Sequence, residues 1–380
     1  MRRILCLLTV LALVGAMGLR VQAAPSEVAA KSAILVDAAT GTVLYEQKSH
    51  DALAPASVTK VMTMLLIMEA IDSGKLCWED TVTASETAAA KGGSQIYLKV
   101  GETMSVSDMV KSIAVSSAND CACAMAEHLA GSEAAFVEMM NKRAEELGMK
   151  DTHFVNCTGL DDEPEAASHM TSAADIAIMS RELLTKHPDI KNYTTIWMDT
   201  VRGGTFGLSN TNKLVRFYSG ATGLKTGFTA AAGYCLSASA QRDGMELIAV
   251  VMGSKTSQER FAACKSLLDY GFANYALVVP EVETKNVVIN LGTEESVRAV
   301  PTQSPRLLID KSQRDSVHTT LELKEKVEAP VSQGQRLGTL TVKAGEQVLQ
   351  QIPLVAETSV PKLSFSQLYW QILKRLCMAK

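Results

Sequence analysis

Residues 54–71 read APASVTKVMTMLLIMEAI, a nearly unbroken apolar run with a serine and a lysine near its beginning. Its good helix formers, followed by Gly74, predict a helix over residues 58–71 that ends before the glycine. Because the run is apolar on nearly every side, we expect this helix to be buried in the centre of a domain. Lys60 lies inside the run, which is an unusual place for a solvent-exposed lysine.

The serine and the lysine of this run are three residues apart, at Ser57 and Lys60. Residues at this spacing share one face of a helix, so the amine can reach the hydroxyl. A serine hydroxyl is a weak nucleophile until a base removes its proton, and a lysine can be that base where burial and a neighbouring cation lower its pKa. The free N–H groups at a helix N-terminus can stabilise an oxyanion. Taken alone the pattern is weak, because a helix cap followed by a surface lysine has the same spacing.

Hydrophobic periodicity on either side of this helix predicts an α/β domain. Residues 33–36 and 42–45 are expected to form the two strands of a hairpin. Residues 234–239 and 247–252 are expected to be adjacent strands near the other end of the domain. The sheet is therefore assembled from both ends of the domain, with helices between them. The predicted helices cover residues 105–114, 118–129, 133–147, 172–185 and 258–270.

A second short pattern, Ser117-Ala118-Asn119, stands at the start of one of these predicted helices. In a functional interpretation, Ser117 relays a proton to a leaving group, while Asn119 holds a substrate amide and helps to position Lys60. The simpler interpretation is a helix N-cap, which the residue types fit equally well.

A third pattern, Lys225-Thr226-Gly227, precedes Phe228 and the strand predicted at 234–239. The charge of the lysine and the hydroxyl of the threonine suit a substrate carboxylate. The glycine would let a substrate lie against an edge strand as one more strand. The alternative is the approach to a hairpin, with an exposed lysine.

The two ends of the chain carry signals of their own. Residues 1–23 begin with arginines and continue with an apolar run too short to span a membrane, which predicts a secretory signal peptide; an uncleaved anchor is the alternative. After the α/β domain, assigned to 24–275, short apolar runs between polar turns predict a small all-β domain over 276–360. Residues 361–380 predict an amphipathic helix lying on a membrane surface, unless it packs on its own domain. Its apolar face would consist of Phe365, Leu368, Tyr369, Ile372 and Leu376.

Composition excludes some functions. The net charge is -4 and there is no basic stripe, so a nucleic-acid partner is not expected. His169, with Asp161 and Asp162 before it, does not form an H-E-x-x-H motif, so we expect a structural histidine rather than a metal ligand or a zinc carboxypeptidase.

Together the three patterns resemble, in their order and structural contexts, the S-x-x-K, S-D-N and K-T-G set of class A β-lactamases and penicillin-binding proteins. The sequence is similar to the low-molecular-mass penicillin-binding proteins that act as serine-type D-alanyl-D-alanine carboxypeptidases. The resemblance covers essentially the whole mature chain. Further matching stretches are 94–98, 101–102, 119–120, 131–133, 152–156, 159–161 and Asp175.

The resemblance implies an α/β penicillin-binding or β-lactamase-like transpeptidase fold. Such a fold has a sheet with helices on both faces and a helical subdomain, followed here by the small all-β domain and the terminal amphipathic helix. It also implies an exported enzyme at the outer face of the cytoplasmic membrane that removes the terminal D-alanine from peptidoglycan stem peptides, needs no cofactor or metal and is blocked by β-lactams. The implied roles are nucleophile for Ser57, base for Lys60, proton relay for Ser117, substrate binding for Asn119, Lys225, Thr226 and Gly227, and an oxyanion hole made by the backbone N–H groups of Ser57 and Phe228.

Two departures from the β-lactamases bear on the activity. The second motif is S-A-N rather than S-D-N, and residues 163–167, EPEAA, lack the E-x-x-L-N pattern that those enzymes use for deacylation. Rapid β-lactam hydrolysis is therefore disfavoured. The alternatives that stay open are a β-lactamase or esterase of the same fold, and a non-catalytic wall-binding protein with a relict site.

Overall fold

The chain forms two compact units that meet in sequence between Asn274 and Tyr275. The structure is a computed structural model, and it describes residue 25, residues 27–162 and residues 164–378. The signal peptide predicted at 1–23 lies outside the described residues. Each unit is built around its own hydrophobic core.

A five-stranded antiparallel sheet forms the framework of the first unit. Two of its strands come from the N-terminal end of the unit and three from the C-terminal end, as the sequence predicted. The hairpin expected at 33–36 and 42–45 is therefore confirmed, although its strands are slightly longer. In spatial order the strands are Val43–Gln47, Ser32–Asp37, Met245–Ser254, Gly233–Arg242 and Ala221–Thr229. We refer to the last of these, Ala221–Thr229, as the edge strand.

Helices cover both faces of this sheet. The helix Ala173–Lys186 lies on one face, where the hydroxyls of Ser180 and Ser237 are 2.8 Å apart. The helix Ser257–Asn274 lies on the other face and packs against Leu247. Because successive side chains of a strand point to opposite faces, a sheet covered in this way is apolar on both sides.

The helix predicted at 58–71 begins two residues later than expected. Residues Ala56–Thr59 form a 3₁₀ turn, here named the serine turn, and the α-helix that follows, the central helix, covers Lys60–Asp72. The Thr59 hydroxyl donates a 2.8 Å hydrogen bond to the carbonyl of Ala56, which closes the turn. Such turns are frequent at helix N-termini. The first nine residues of the central helix are all buried, as its apolar sequence predicted.

The remaining elements of the first unit form a helical subdomain beside the central helix. Three of its helices begin with a serine whose side chain accepts a backbone N–H, namely Ser85, Ser105 and Ser132, as helix N-caps commonly do. The further helices are Glu86–Ala89, Val106–Ser116, Asn119–Ala130, Glu133–Glu146, Lys191–Thr194 and Leu214–Phe217, with 3₁₀ turns at Pro164–Ser168 and Pro188–Ile190. Two small two-stranded sheets pair Thr81–Thr83 with Thr103–Ser105 and Met198–Val201 with Phe206–Ser209.

The second unit is an all-β structure followed by one helix. Its six-stranded sheet has the order Val317–Leu323, Arg336–Ala344, Gln347–Ala356, Ser296–Pro301, Asn286–Asn290 and Lys326–Glu328. A separate pair of strands joins Tyr275–Val278 to Leu307–Asp310, and a 3₁₀ turn covers Lys311–Ser316. The final helix is Phe365–Met378. Within the described part of the chain, no helix has the length and apolar character needed to cross a membrane.

Gly159 is the position at which the first unit tolerates a side chain least. Its φ is +78°, and a Cβ there would lie 1.9 Å from the carbonyl oxygen of Ala56 in the serine turn. The segment that contains Gly159 therefore packs backbone to backbone against this turn. No residue with a side chain can both adopt this backbone conformation at low cost and fit the available space.

Replacing Gly159 by alanine should destabilise the protein by roughly 3 kcal/mol or more, because a left-handed backbone and a steric clash both oppose it. The matched control is Gly148→Ala, since Gly148 has a φ of +76° but no atom within 4 Å of an added Cβ. That variant should lose only about 1 kcal/mol. Chemical unfolding of the two variants measures the difference, and equal losses would contradict the packing argument.

Candidate active site

The serine turn and the central helix bring Ser57 and Lys60 together. The Lys60 Nζ atom lies 3.0 Å from Ser57 Oγ and donates a 2.8 Å hydrogen bond to the carbonyl oxygen of Thr158. The lysine side chain is completely buried. The amine is thus held between one hydroxyl and one carbonyl, without contact with bulk water.

Burial lowers the pKa of Lys60 to about 7, and the negative charge of Asp120 opposes this effect only in part. Desolvation disfavours the charged form of an amine, which is the physical cause of the shift. An amine with this pKa is largely neutral at slightly alkaline pH and then carries a lone pair. Its position beside the Ser57 hydroxyl gives that lone pair a proton to accept.

Ser117 and Asn119 lie at the junction of two helices. Ser117 follows the helix Val106–Ser116 with a φ of 64°, and Ala118 occupies the N-cap position of the helix Asn119–Ala130 without a side-chain cap. The interpretation of this serine as a simple N-cap is therefore wrong. The left-handed residue instead turns the chain sharply between the two helices.

Asn119 is fixed by the segment that precedes it in the chain. Its Nδ2 donates to the carbonyl of Gly92 at 2.8 Å, and its backbone N–H donates to Ser94 at 2.7 Å. Its Oδ1 atom is buried and has no hydrogen-bond partner among the described residues. From the sequence we expected this side chain to help to position Lys60. In the structure, the backbone group that accepts a hydrogen bond from the Lys60 amine is the carbonyl of Thr158.

The edge strand carries the third motif. Lys225 is buried and donates a 2.8 Å hydrogen bond to the carbonyl of Thr226, whose hydroxyl donates to Thr211 at 2.7 Å. Burial holds the pKa of Lys225 well below its ordinary range, and the positive charges of Lys60 and Arg260 act in the same direction. Because Lys60 lies close enough to act on the charge of Lys225, the third motif lies beside the first.

Gly227 and the serine turn are in direct contact. A Cβ at Gly227 would lie 2.6 Å from the carbonyl of Pro55 and 3.1 Å from the backbone nitrogen of Ser57. Only a residue without a side chain allows this approach. The next residue along the edge strand is Phe228, so its backbone follows immediately after this contact.

Two residues of the site were not found by sequence reasoning. Thr158 acts through its backbone carbonyl, so its residue type gives no signal. Arg260 is buried, donates from Nη1 to the carbonyl of Gly227 at 2.9 Å and stacks on the ring of Tyr234 at 5.2 Å. In the sequence Arg260 is one polar residue of an ordinary predicted helix, and only the tertiary structure brings it to the edge strand.

His169 has the structural environment that the sequence predicted. Its Nε2 atom lies 2.8 Å from the Thr59 hydroxyl, and its Nδ1 atom accepts a 3.1 Å hydrogen bond from the backbone of Val155. Among the residues that the structure describes, no group of three or more histidine, cysteine, aspartate or glutamate side chains could hold a metal ion.

Comparison with known proteins decides the family. The family model described as D-alanyl-D-alanine carboxypeptidase matches residues 19–256, and the model of the penicillin-binding protein 5 C-terminal domain matches residues 275–362. The chain belongs to the D-alanyl-D-alanine carboxypeptidase family. It is 44% identical over 343 residues to the carboxypeptidase DacF of Bacillus subtilis, which covers 88% of this chain and 87% of that relative. It is 32% identical over 361 residues to DacC of Escherichia coli, covering 91% and 88%.

Solved structures give the same result for the fold. Penicillin-binding protein 5 of Haemophilus influenzae aligns with a TM-score of 0.76 at 29% identity, covering 90% of this chain and all of that one. Penicillin-binding protein 3 of Streptococcus pneumoniae aligns with a TM-score of 0.73 at 27% identity, covering 88% and 100%. The predicted penicillin-binding fold with its C-terminal all-β domain is confirmed. The protein is an enzyme, a serine-type D-alanyl-D-alanine carboxypeptidase.

The pKa of Lys60 leads to a pH dependence. We expect kcat/KM for D-alanine release to rise about tenfold per pH unit below pH 7 and to level off above it, as the amine loses its proton. Lys60→Arg, whose guanidinium stays charged, should lower kcat/KM by roughly 1000-fold or more throughout the range. The exposed Lys75→Arg is the matched control and should keep the wild-type profile. A profile that is flat between pH 5 and 8 would contradict the assignment of this pKa.

Proposed function

We propose that the Ser57 hydroxyl attacks the carbonyl carbon between the two terminal D-alanines of a peptidoglycan stem peptide, with Lys60 as the base. The observation that carries this proposal is the buried amine 3.0 Å from the hydroxyl, with a pKa lowered to about 7. The proton moves from Ser57 Oγ to Lys60 Nζ as the C–O bond forms. The C–N bond to the terminal D-alanine then breaks, and the acyl group stays on the serine.

Lys225 and Thr226 bind the carboxylate of the terminal D-alanine in this proposal. The supporting argument is electrostatic: a buried amine whose pKa is depressed by burial and by two neighbouring cations gains most from an arriving anion. The carboxylate would restore the charged form of Lys225 and accept its N–H groups. Arg260 holds the edge strand in place from behind through the carbonyl of Gly227.

The acyl part of the substrate lies along the edge strand. The backbone N–H groups of Ser57 and Phe228 serve as the oxyanion hole, and the close contact at Gly227 supports their proximity. The unpartnered Oδ1 atom of Asn119 would accept a substrate amide N–H, which would satisfy a buried polar atom. Ser117 passes a proton to the departing amine, and water then hydrolyses the acyl-enzyme.

We propose that β-lactams acylate the same serine and are released slowly. The ampicillin-bound structure of penicillin-binding protein D2 of Listeria monocytogenes aligns over 66% of this chain with a TM-score of 0.57 at 32% identity. In a β-lactam the leaving group stays tethered to the acyl group. It therefore blocks the path of the hydrolytic water, and the acyl-enzyme accumulates.

A fluorescent penicillin should label the wild-type protein at one site, and Ser57→Ala should abolish both the label and D-alanine release from a diacyl-lysyl-D-alanyl-D-alanine peptide. Mass spectrometry of the adduct locates the modified residue. Ser73→Ala, an exposed serine beyond the central helix, is the control and should be labelled normally. A label that persists on Ser57→Ala would refute the nucleophile. Rapid penicillin turnover without a stable adduct would favour a β-lactamase. Binding of the peptide without release of D-alanine would favour a non-catalytic protein.

We further propose that the terminal helix Phe365–Met378 holds the exported enzyme at the outer face of the cytoplasmic membrane. Phe365, Tyr369 and Ile372, spaced for one helical face, are 86%, 56% and 51% exposed. Trp370 beside them is 66% exposed. Exposed apolar and aromatic side chains on one face, with Lys374 on the same helix, suit the interface of an anionic bilayer. Of the predicted apolar face, Leu368 is half-buried, and the side chain of Leu376 lies outside the description.

Sedimentation with phosphatidylglycerol-containing vesicles tests this helix. The triple variant F365S/Y369S/I372S should lower the vesicle partition coefficient by roughly 2000-fold at full burial, because three lost apolar contacts at roughly 1.5 kcal/mol each amount to about 4.5 kcal/mol. D-alanine release from a soluble peptide should be unchanged. As a control, serine substitution of the exposed Val348 on the β-sheet should not affect binding. Unchanged binding of the triple variant would favour a helix that packs on its own domain.

A further inference from the structure

His169 lies between the two pieces of backbone that hold the catalytic pair. Its ring is 3% exposed. On one side Nε2 is 2.8 Å from the hydroxyl of Thr59 in the serine turn. On the other side Nδ1 accepts the backbone N–H of Val155 at 3.1 Å. The ring therefore connects the turn that carries Ser57 to the segment that carries Thr158.

The contacts of His169 permit one neutral tautomer. The Thr59 hydroxyl donates its only proton to the carbonyl of Ala56 at 2.8 Å, so it offers a lone pair to the histidine. Nε2 must therefore carry the ring proton. The backbone N–H of Val155 can only donate, so Nδ1 must be unprotonated. The three hydrogen bonds form a chain from Val155 through the ring and the threonine to the residue before Ser57.

The 155–159 segment, on the far side of the ring, is held by close contacts, as the serine turn is. The carbonyl of Thr158 receives the Lys60 amine at 2.8 Å, and Gly159 packs directly on the carbonyl of Ala56. The ring of Phe154 meets the imidazole edge-on at 5.6 Å. A shift of this segment relative to the serine turn would change the separation of the amine from the hydroxyl.

We propose that His169 is a positioning residue for acylation, which keeps the serine turn and the 155–159 segment in register so that the amine of Lys60 meets the hydroxyl of Ser57. This inference rests on the proposed roles of that serine and lysine. The side-chain hydrogen bonds of His169 reach neither Ser57 nor Lys60, so it acts through Thr59 and Val155.

Acid should disconnect this bridge. A second proton on the ring would face the N–H of Val155 and replace an acceptor by a donor. Burial lowers the pKa of His169 to about 4, and the positive charges of His153 and Lys60 act in the same direction. Since the folded-state pKa lies below the unfolded value of about 6.5, the bridge contributes fully above pH 6.5 and is lost as the pH falls toward 4.

The test uses the full-length enzyme, with D-alanine release and penicillin acylation as readouts. His169→Leu removes both hydrogen bonds and should lower kcat and the acylation rate by about 100-fold, the cost of a small misplacement of reacting groups, with KM changed less than threefold. It should also move the inflection of the pH profile assigned to Lys60, because that amine loses its fixed surroundings. His169→Gln restores a donor toward Thr59 and should recover at least tenfold of the loss.

Two further variants separate positioning from simple stability. His187→Leu replaces a buried histidine that contacts Asp72, the last residue of the central helix, and should lower the Tm without changing kcat. Thr59→Val removes the other end of the hydrogen bond and should reproduce the loss in kcat even where His169→Leu does not fold. Wild-type kcat and an unmoved pH profile in either His169→Leu or Thr59→Val would overturn the proposal. Penicillin labelling of Ser57 in the wild-type enzyme is measured first. If that labelling fails, the proposed function fails, whatever the His169 variants show.

Discussion

The structure depends on keeping the amine of Lys60 out of contact with water, beside the hydroxyl of Ser57. The difference between the ordinary pKa of lysine, 10.5, and the value of about 7 for Lys60 corresponds to a shift of roughly 5 kcal/mol in preference toward the neutral form, relative to an amine in water. Such a preference persists only where the surroundings exclude solvent, and the apolar central helix provides those surroundings. The features that make this helix the centre of the core are therefore the same features that lower the pKa of its first residue, which allows the base role proposed for it.

Close backbone contact is the second requirement, and two glycines provide it. Gly159 lets the segment with Thr158 rest on the serine turn from one side, while Gly227 lets the edge strand approach the turn from the other. The turn is held between two pieces of backbone rather than between flexible side chains. The positions of the carbonyl that receives Lys60 and of the N–H groups near Ser57 are consequently set by main-chain geometry, which costs no side-chain entropy to maintain.

The sequence predicted most of the framework because its signals are local. The hairpin at 33–45, the buried helix and the three motifs are all visible in periodicity and spacing. What could not be predicted depends on tertiary contact or on backbone atoms. Thr158 contributes a carbonyl that any residue has, and Arg260 reaches the edge strand only because its helix packs on the sheet. The left-handed conformation of Ser117 was missed because serine rarely adopts it and often caps helices.

The clustering of basic side chains would favour the substrates that we propose, which carry a free C-terminal carboxylate. Burial holds the pKa of Lys225 well below its ordinary range, and repulsion from positive charges on Lys60 and Arg260 acts in the same direction in a medium that screens charges poorly. A substrate that brings a carboxylate relieves this repulsion, whereas a neutral ester or amide at the same position leaves it in place. The carboxylate also stabilises the charged form of Lys225. That lysine can therefore keep its proton while Lys60 remains neutral. In the proposed mechanism, the same interaction that selects the substrate thus preserves the base that acts on it.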